Sequence, residues 1–126
     1  MSIQRIDPGV RLSQAVVHGD LVFLAGHTSD KADADVYEQT RDILAQIDAH
    51  LAAAGSDRSQ LLSVNIWLPD IETFSEMNRA WDEWVDQDNK PARATVEPRL
   101  ATPDYTVEIA AIAARGARAG RISGNT

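Results

Sequence analysis

The segment from Tyr105 to Ala114 carries apolar side chains on both sides of a predicted strand. Successive side chains of a strand point to opposite faces of its sheet. One face would hold Tyr105, Val107, Ile109, Ala111 and Ala113, and the other Thr106, Glu108, Ala110, Ile112 and Ala114. A strand that is largely apolar on both faces has to be covered on both. The fold must therefore place one layer on each side of this strand.

A long helix is predicted from local signals in the first half of the chain. Apolar and small side chains recur at helical spacing at Val36, Thr40, Ile43, Leu44, Ile47 and Leu51. Asp35 and Glu38 resemble a capping box at the start, and Gly55 is a natural stop. The pattern predicts a helix over residues 36–54.

The remaining periodicity predicts a second helix and several strands. A helix capped by Asp70 places apolar residues on one face at Ile71, Phe74, Met77, Trp81 and Val85. Strands are predicted at 12–17, 21–25, 61–68, 93–97 and 105–114, with a β-hairpin formed by the first two. The last two strands are joined by a turn-rich connection, and we interpret them as a second hairpin.

The predicted order β-β-α-β-α-β-β indicates an α+β fold, a mixed sheet with both helices on one face. Two helices cover only one side of the strand at 105–114, so its other side needs another subunit. The pattern therefore predicts a homo-oligomer.

Composition limits the possible partners. The chain has 126 residues, a length suited to one domain, and a formal net charge of -7. It has no run of Lys and Arg of the kind that binds a phosphate backbone, which argues against nucleic acid. No apolar run approaches the roughly 20 residues needed to span a membrane, so we expect a cytoplasmic protein with no membrane partner. We assign residues 1–115 to the domain and 116–126 to a flexible C-terminal tail.

The sequence gives no support for a metal or a cofactor. It contains no cysteine, and His18, His27 and His50 do not have the spacing of metal ligands. It also lacks a glycine-rich phosphate loop. His27 follows Gly26 in a predicted loop, where it could line a polar pocket or face solvent.

Glu108 and Arg93 are the charged residues that a plain sheet would not require. Partial burial of Glu108 among alanines and Ile112 would raise its pKa and suit it to acid/base work, although a surface glutamate, or one ion-paired across a subunit interface, is the more common case. If the last two strands pair Thr95 with Glu108, Arg93 falls on the same face. Arg93 could then bind a ligand carboxylate beside Glu108, or form a structural salt bridge with it.

The motifs Pro91-Ala92-Arg93-Ala94-Thr95-Val96-Glu97 and Val107-Glu108-Ile109-Ala110-Ala111-Ile112-Ala113 resemble the RidA/YjgF family. Upstream segments agree in order and spacing: Ser13-Gln14-Ala15-Val16, Leu24-Ala25-Gly26, Ala54-Gly55, and Phe74 with Met77-Asn78. The resemblance implies a chorismate-mutase-like fold, assembled as a homotrimer with sites in the clefts between subunits. It also implies a cofactor-independent deaminase that hydrolyses enamine and imine intermediates, such as 2-aminoacrylate and other 2-imino acids, to 2-oxo acids and ammonia.

The resemblance also implies roles for individual residues. Arg93 matches the arginine that binds the substrate carboxylate, Glu108 the glutamate that activates water, and Asn78 an asparagine near the cleft. Three positions depart from the pattern of active members: Leu12 replaces a tyrosine, Thr95 a cysteine and His27 a glutamine. Thr95 can still offer its backbone N–H and a hydroxyl, and we include Thr95 and His27 among the substrate-binding residues.

Three functional hypotheses remain open at this point. The first is the deaminase, which the presence of both Arg93 and Glu108 favours. The second is a non-catalytic module that binds small carboxylates such as 2-oxo acids, which the loss of the tyrosine at Leu12 favours. The third is an interaction protein whose assembly is itself the function.

Overall fold

The computed structural model describes residues 2–116 of the chain. Its strands are β1 (Ile3–Pro8), β2 (Ser13–His18), β3 (Leu21–His27), β4 (Leu61–Trp67), β5 (Ala92–Val96) and β6 (Glu108–Ala114). Its helices are α1 (Val36–Ala53) and α2 (Phe74–Trp84), with short 3₁₀ turns at Arg58–Gln60 and Ile71–Thr73. The predicted tail lies outside the described residues from position 117 onward.

The six strands form one mixed sheet in the order β1-β2-β3-β6-β4-β5. Only β4 and β5 run parallel to each other, and the other neighbours are antiparallel. The core lies between this sheet and the two helices, with Val22, Ile66 and Ile109 buried on the strand side and Ile43 and Met77 on the helix side. The predicted α+β class, with helices packed on one face of a mixed sheet, is confirmed.

Helix α1 begins and ends where its capping residues predict. The Glu38 N–H donates to Asp35 Oδ1 at 2.8 Å, which satisfies one of the free N–H groups of the first turn. Gly55 has a φ of +80°, the left-handed conformation that ends many helices. The buried face of the helix consists of Val36, Gln39, Thr40, Ile43, Leu44, Ile47 and Leu51.

Strand β1 is absent from the predicted elements, because Asp7-Pro8-Gly9 predicts a turn there. Residues Ile3 to Pro8 instead pair with β2 at the edge of the sheet. Ile6 is the only one of the six that is not exposed, so the strand lacks the alternation that marks a half-buried strand. The predicted turn begins only after Pro8, where the Gly9 N–H donates to the Leu12 carbonyl at 2.7 Å.

The predicted hairpin of the last two strands is wrong. Strand β5 pairs with β4, and β6 lies between β3 and β4, so β5 and β6 are not neighbours. Thr95 is opposite Ile66 rather than Glu108. The apolar character of both faces of β6 explains the difference, because such a strand belongs in the middle of a sheet, whereas β5 buries no residue fully and lies at the edge.

Gln39 of α1 holds the connection between β5 and β6 in place. Its side chain is fully buried, and its amide N–H group donates to the carbonyls of Lys31 and Asp104, each at 3.0 Å. Its Oε1 accepts a hydrogen bond from the Thr106 N–H at 3.0 Å. Because Thr106 lies two residues before Glu108, Gln39 also fixes the chain where β6 begins.

The sheet face opposite the helices carries exposed apolar side chains. Leu21 and Phe23 are 40% exposed there, and Val96 is 50% exposed. Phe23 is opposite Ile112 of β6, on the side of that strand for which the sequence predicts cover from a second subunit. The homo-oligomer stays a prediction. In the described part of the chain, no helix is long and apolar enough to cross a membrane.

Candidate active site

Arg93 lies under α2 on the helix-covered face of the sheet. It is opposite Val64, a buried core residue, which fixes the face to which its side chain points. The guanidinium carbon is 5.2 Å from the centre of the Trp81 ring and 5.9 Å from that of Phe74. Burial lowers the pKa of Arg93, with a smaller opposing effect of Asp82, but a guanidinium keeps its charge in proteins.

Asn78 of α2 orients the Arg93 side chain. Its Oδ1 accepts a hydrogen bond from Arg93 Nη1 at 2.8 Å. Among residues 2–116, no carboxylate lies within 4.0 Å of this guanidinium to form an ion pair. A half-buried cation that is held by an amide and two aromatic rings retains N–H groups for an anion, and carboxylates bind such a fork bidentately.

Thr95 is on the same face of β5, two residues after Arg93. Its Oγ1 is buried and has no hydrogen-bond partner in the described part of the chain. A buried hydroxyl without a partner is costly, and such groups often point to a ligand or water. Arg93, Asn78 and Thr95 therefore form one polar group at the edge of the sheet.

Glu108 lies on the open face of the sheet, against Gly26 of β3. A Cβ built on Gly26 would overlap Glu108 Oε2 and lie 3.0 Å from its Cδ. Partial burial raises the pKa of the Glu108 carboxyl above its ordinary value of 4.5. A carboxylate with a raised pKa is a better base near neutral pH, which is the property that water activation requires.

Strand β4 shows that Arg93 and Glu108 belong to opposite faces of the sheet. Arg93 is opposite Val64, and Glu108 is opposite Trp67. Val64 and Trp67 are three residues apart on one strand, so their side chains point to opposite sides. The shared face that the hairpin predicted does not exist, and within one subunit the two residues cannot contact the same small ligand.

His27 belongs to neither group. It is opposite Ile109, on the helix-covered face, and only 2% of its surface is exposed. Its Nδ1 donates to the Ala25 carbonyl at 2.7 Å, and its Nε2 lies 2.9 Å from Nδ1 of His50. Both ring nitrogens are thus occupied inside the protein. Leu12 precedes β2 and is 53% exposed.

Sequence reasoning gave no role to two residues, Gly26 beside Glu108 and His50 beside His27. Gly26 makes room for the Glu108 carboxylate, and the signal that could have revealed it is a glycine inside an apolar strand, which often marks a bulge or a close approach. In the sequence, His50 is only a histidine without the spacing of a metal ligand, but its ring contacts His27. Nothing in the spacing of the two histidines indicates this contact, because 23 residues separate them.

No group of three or more His, Cys, Asp and Glu side chains within residues 2–116 has the arrangement needed to hold a metal ion. The polar groups around Arg93 and Glu108 are instead suited to an anion and to proton transfer.

Comparison with known proteins identifies the family. Residues 2–115 match the family described as Endoribonuclease L-PSP. The chain belongs to this family. A RutC family protein of Haemophilus influenzae is 45% identical over 114 residues, which cover 90% of this chain and 98% of that protein. The RutC family protein YoaB of Escherichia coli is 44% identical over 114 residues, with 90% and 99% covered.

The structural comparison agrees with the sequence comparison. A crystal structure of a YjgF family member from Neisseria meningitidis superimposes with a TM-score of 0.88 at 43% identity, covering 91% of this chain and 96% of that one. The resemblance to the RidA/YjgF family is therefore confirmed over nearly the whole of the described chain.

Proposed function

We propose that this L-PSP/YjgF family protein is a cytoplasmic hydrolase that converts enamines and imines of 2-amino acids to 2-oxo acids and ammonia. The observation that carries the proposal is the half-buried Arg93 guanidinium, which has no ion-pair partner in residues 2–116. A ligand carboxylate would satisfy it, and every substrate of this class has one. Glu108, with its raised pKa, supplies the base.

The opposite placement of Arg93 and Glu108 supports a site built by two subunits. Arg93 lies near the free edge of the sheet, since β5 is the terminal strand, and Glu108 lies on the open face. If the open face of one subunit packs near the β5 edge of the next, a ligand in the cleft meets Arg93 from one copy and Glu108 from the other. A closed ring of three copies would repeat this cleft three times.

The proposed reaction is a simple hydrolysis. Arg93 binds the substrate carboxylate through two N–H groups, Asn78 holds the guanidinium, and Thr95 contributes its N–H and hydroxyl. Glu108 accepts a proton as the water oxygen attacks C2 of the iminium and forms a carbinolamine. That proton then passes to the nitrogen. The C–N bond breaks as Glu108 takes the hydroxyl proton, so the 2-oxo acid forms and ammonia leaves. An enamine such as 2-aminoacrylate first takes a proton at C3 to give the iminium.

Each proposed residue contributes through position rather than through unusual chemistry. An iminium carbon is already electrophilic, so anchoring it beside a held water accounts for much of the barrier reduction. Proton transfer by a placed carboxylate contributes about 10²–10⁴-fold in enzymes of this kind. Substrate binding by His27 is not supported, because both of its ring nitrogens have partners.

A carboxylate-binding module without catalysis is the second candidate. Leu12 favours it, because a leucine that is 53% exposed offers no hydroxyl at the position where the resemblance implies a tyrosine. The same Arg93, Asn78 and Thr95 group would then bind 2-oxo acids. An RNA-cleaving activity, as the family description says, is disfavoured by the net charge of -7.

One assay separates these candidates. A dehydratase acting on serine generates 2-aminoacrylate, and 2-oxo acid formation is followed with and without the protein. We expect the wild type to accelerate release of the 2-oxo acid, and Glu108→Gln to remove at least about 99% of that acceleration, in line with loss of a general base. His18→Asn, at the exposed end of β2, should match the wild type. No acceleration by the wild type, with calorimetric binding of 2-oxobutanoate that Arg93→Ala removes, would support the binding module instead.

A further inference from the structure

Two histidine rings from different elements form a hydrogen-bonded pair on the helix-covered side of the sheet, next to Gly26. His27 is the last residue of β3, and His50 lies in the last turn of α1. His27 Nε2 and His50 Nδ1 are 2.9 Å apart, and the ring centroids are 4.9 Å apart in an edge-to-face arrangement. His50 Nε2 lies 3.6 Å from Asp7 Oδ2, whose side chain is 75% exposed.

The contacts determine which ring nitrogens carry protons. The Ala25 carbonyl can only accept, so His27 Nδ1 must carry a hydrogen. In neutral His27 the Nε2 is then an acceptor, so His50 Nδ1 must donate to it. The free nitrogen of the pair is His50 Nε2, which faces Asp7.

A proton on His27 Nε2 breaks the pair. The N–H of His27 would then point at the N–H of His50, and the hydrogen bond between the two rings would be lost. Burial lowers the pKa of His27, the charge of His50 lowers it further, and the hydrogen bond to Ala25 opposes these effects only in part. Above its ordinary pKa of 6.5 His27 is neutral in both folded and unfolded chains. As the pH falls below 6.5 the unfolded chain binds the proton first, so the stability that the pair provides is lost.

The pair contacts the backbone that supports Glu108. The pairing register of β3 with β6 shifts between Leu24 and His27, so Ala25 and Gly26 form a bulge. The His27 ring binds the Ala25 carbonyl, and the Glu108 carboxylate rests on Gly26 from the open face. Asp7, which His50 contacts from the side away from His27, has a φ of 54°. This value is strained for a non-glycine residue, and such strain often occurs at functional sites.

We propose that His27 and His50 are positioning residues that hold the Gly26 bulge, and that a proton on His27 Nε2 releases the bulge and displaces Glu108. This inference rests on the proposed function, since it assigns the acid-side limit of the same reaction. The ionisable groups that face the pair are Asp7 from β1 and, across the bulge on the other face, Glu108 from β6. No covalent step is involved.

Two His50 variants separate hydrogen bonding from titration. Asparagine places an amide N–H near the position of Nδ1 and does not titrate, so His50→Asn keeps the donor to His27. Phenylalanine fills the same space without a donor, so His50→Phe leaves His27 Nε2 unpaired. We expect His50→Phe to lower kcat about 10–100-fold with little change in KM, the usual cost of a misplaced catalytic group. His50→Asn should retain most of kcat, and its acid limb should move to higher pH, because the charge of His50 that lowers the pKa of His27 is absent.

The decisive measurement needs no substrate. The ¹³C signal of the Glu108 carboxyl, assigned by its loss in Glu108→Gln, is followed by NMR from about pH 4 to 8 together with the histidine ring nitrogens. In the wild type and in His18→Asn the Glu108 signal should show a second inflection at the pH where the His27 ring titrates. In His50→Asn this inflection should move to higher pH with the His27 titration. In His50→Phe the Glu108 signal should be displaced even at pH 8.

The outcomes distinguish this proposal from the proposed function. A single Glu108 inflection that is identical in the wild type and both His50 variants would overturn the positioning role, whatever the activity. A Glu108 signal that follows the histidines in a protein without hydrolase activity would support the positioning role and reject the function. If His50→Phe fails to fold, the comparison of wild type, His50→Asn and His18→Asn still decides the question.

Discussion

A Gly26→Ala variant is expected to fold normally and to lose almost all hydrolysis that depends on Glu108. The added methyl group would overlap Glu108 Oε2 and approach Cδ to 3.0 Å and Cγ to 3.3 Å. The atom that overlaps is the end of a flexible side chain, so the carboxylate rotates away and the backbone stays in place. Gly26 does not have a positive φ, and alanine can adopt its backbone conformation.

The fall in kcat expected for Gly26→Ala equals the fall expected when the Glu108 carboxylate is removed. We expect kcat to fall about 10²–10⁴-fold, as in Glu108→Gln, while the free energy of unfolding changes by less than about 1 kcal/mol. Gly9→Ala is the matched control, because a Cβ on Gly9 meets only the Leu12 carbonyl oxygen at an ordinary 3.7 Å. A Gly26→Ala enzyme with more than half of the wild-type kcat would show that the Glu108 carboxylate need not occupy this position.

Replacing Arg93 should separate binding from stability. Arg93→Ala removes the only group of the proposed site that carries a positive charge, and each charge-assisted hydrogen bond contributes about 1.5–3 kcal/mol. We therefore expect the Kd for 2-oxobutanoate and the KM for the imine to rise at least about 10–100-fold. Stability should stay equal or increase, because a half-buried cation without an ion-pair partner in residues 2–116 is costly to the folded state.

Lysine at the same position provides the informative comparison. Arg93→Lys keeps the charge but not the planar fork that binds Asn78 and a carboxylate together, so it should restore only part of the affinity. Arg41→Ala, on the outer surface of α1, controls for the loss of a cation. Unchanged ligand affinity in Arg93→Ala would remove the basis for the anion site.

Local chemistry made parts of the fold predictable. Asp35 and Gly55 act on their own neighbours, so the bounds of α1 could be predicted from the sequence. The apolar pattern of β6 indicated that it needs cover on both sides. It could equally have indicated a central strand, which is where the structure places it.

The arrangement of the site could not be predicted in the same way. Arg93 and Glu108 were identified as residues, but their relative position depends on which strands pair, a long-range choice that alternation along one strand does not encode. Gly26 and His50 act through distant partners, Glu108 and His27, so only the folded chain reveals them. The departures at Leu12 and Thr95 were visible in the sequence. The buried Thr95 hydroxyl, which has no hydrogen-bond partner among residues 2–116, gives the second departure a structural meaning.

The central claim is that Arg93 of one subunit and Glu108 of another form one site, and mixed oligomers test it directly. Arg93→Ala and Glu108→Ala chains with different tags are co-expressed, and trimers that contain both tags are purified. Each parental variant alone should be nearly inactive. In a cyclic trimer with both chain types, one cleft in three combines an intact Arg93 with an intact Glu108, so we expect about a third of wild-type activity. Mixed trimers no more active than either parent, or a protein that is monomeric in solution, would contradict the account.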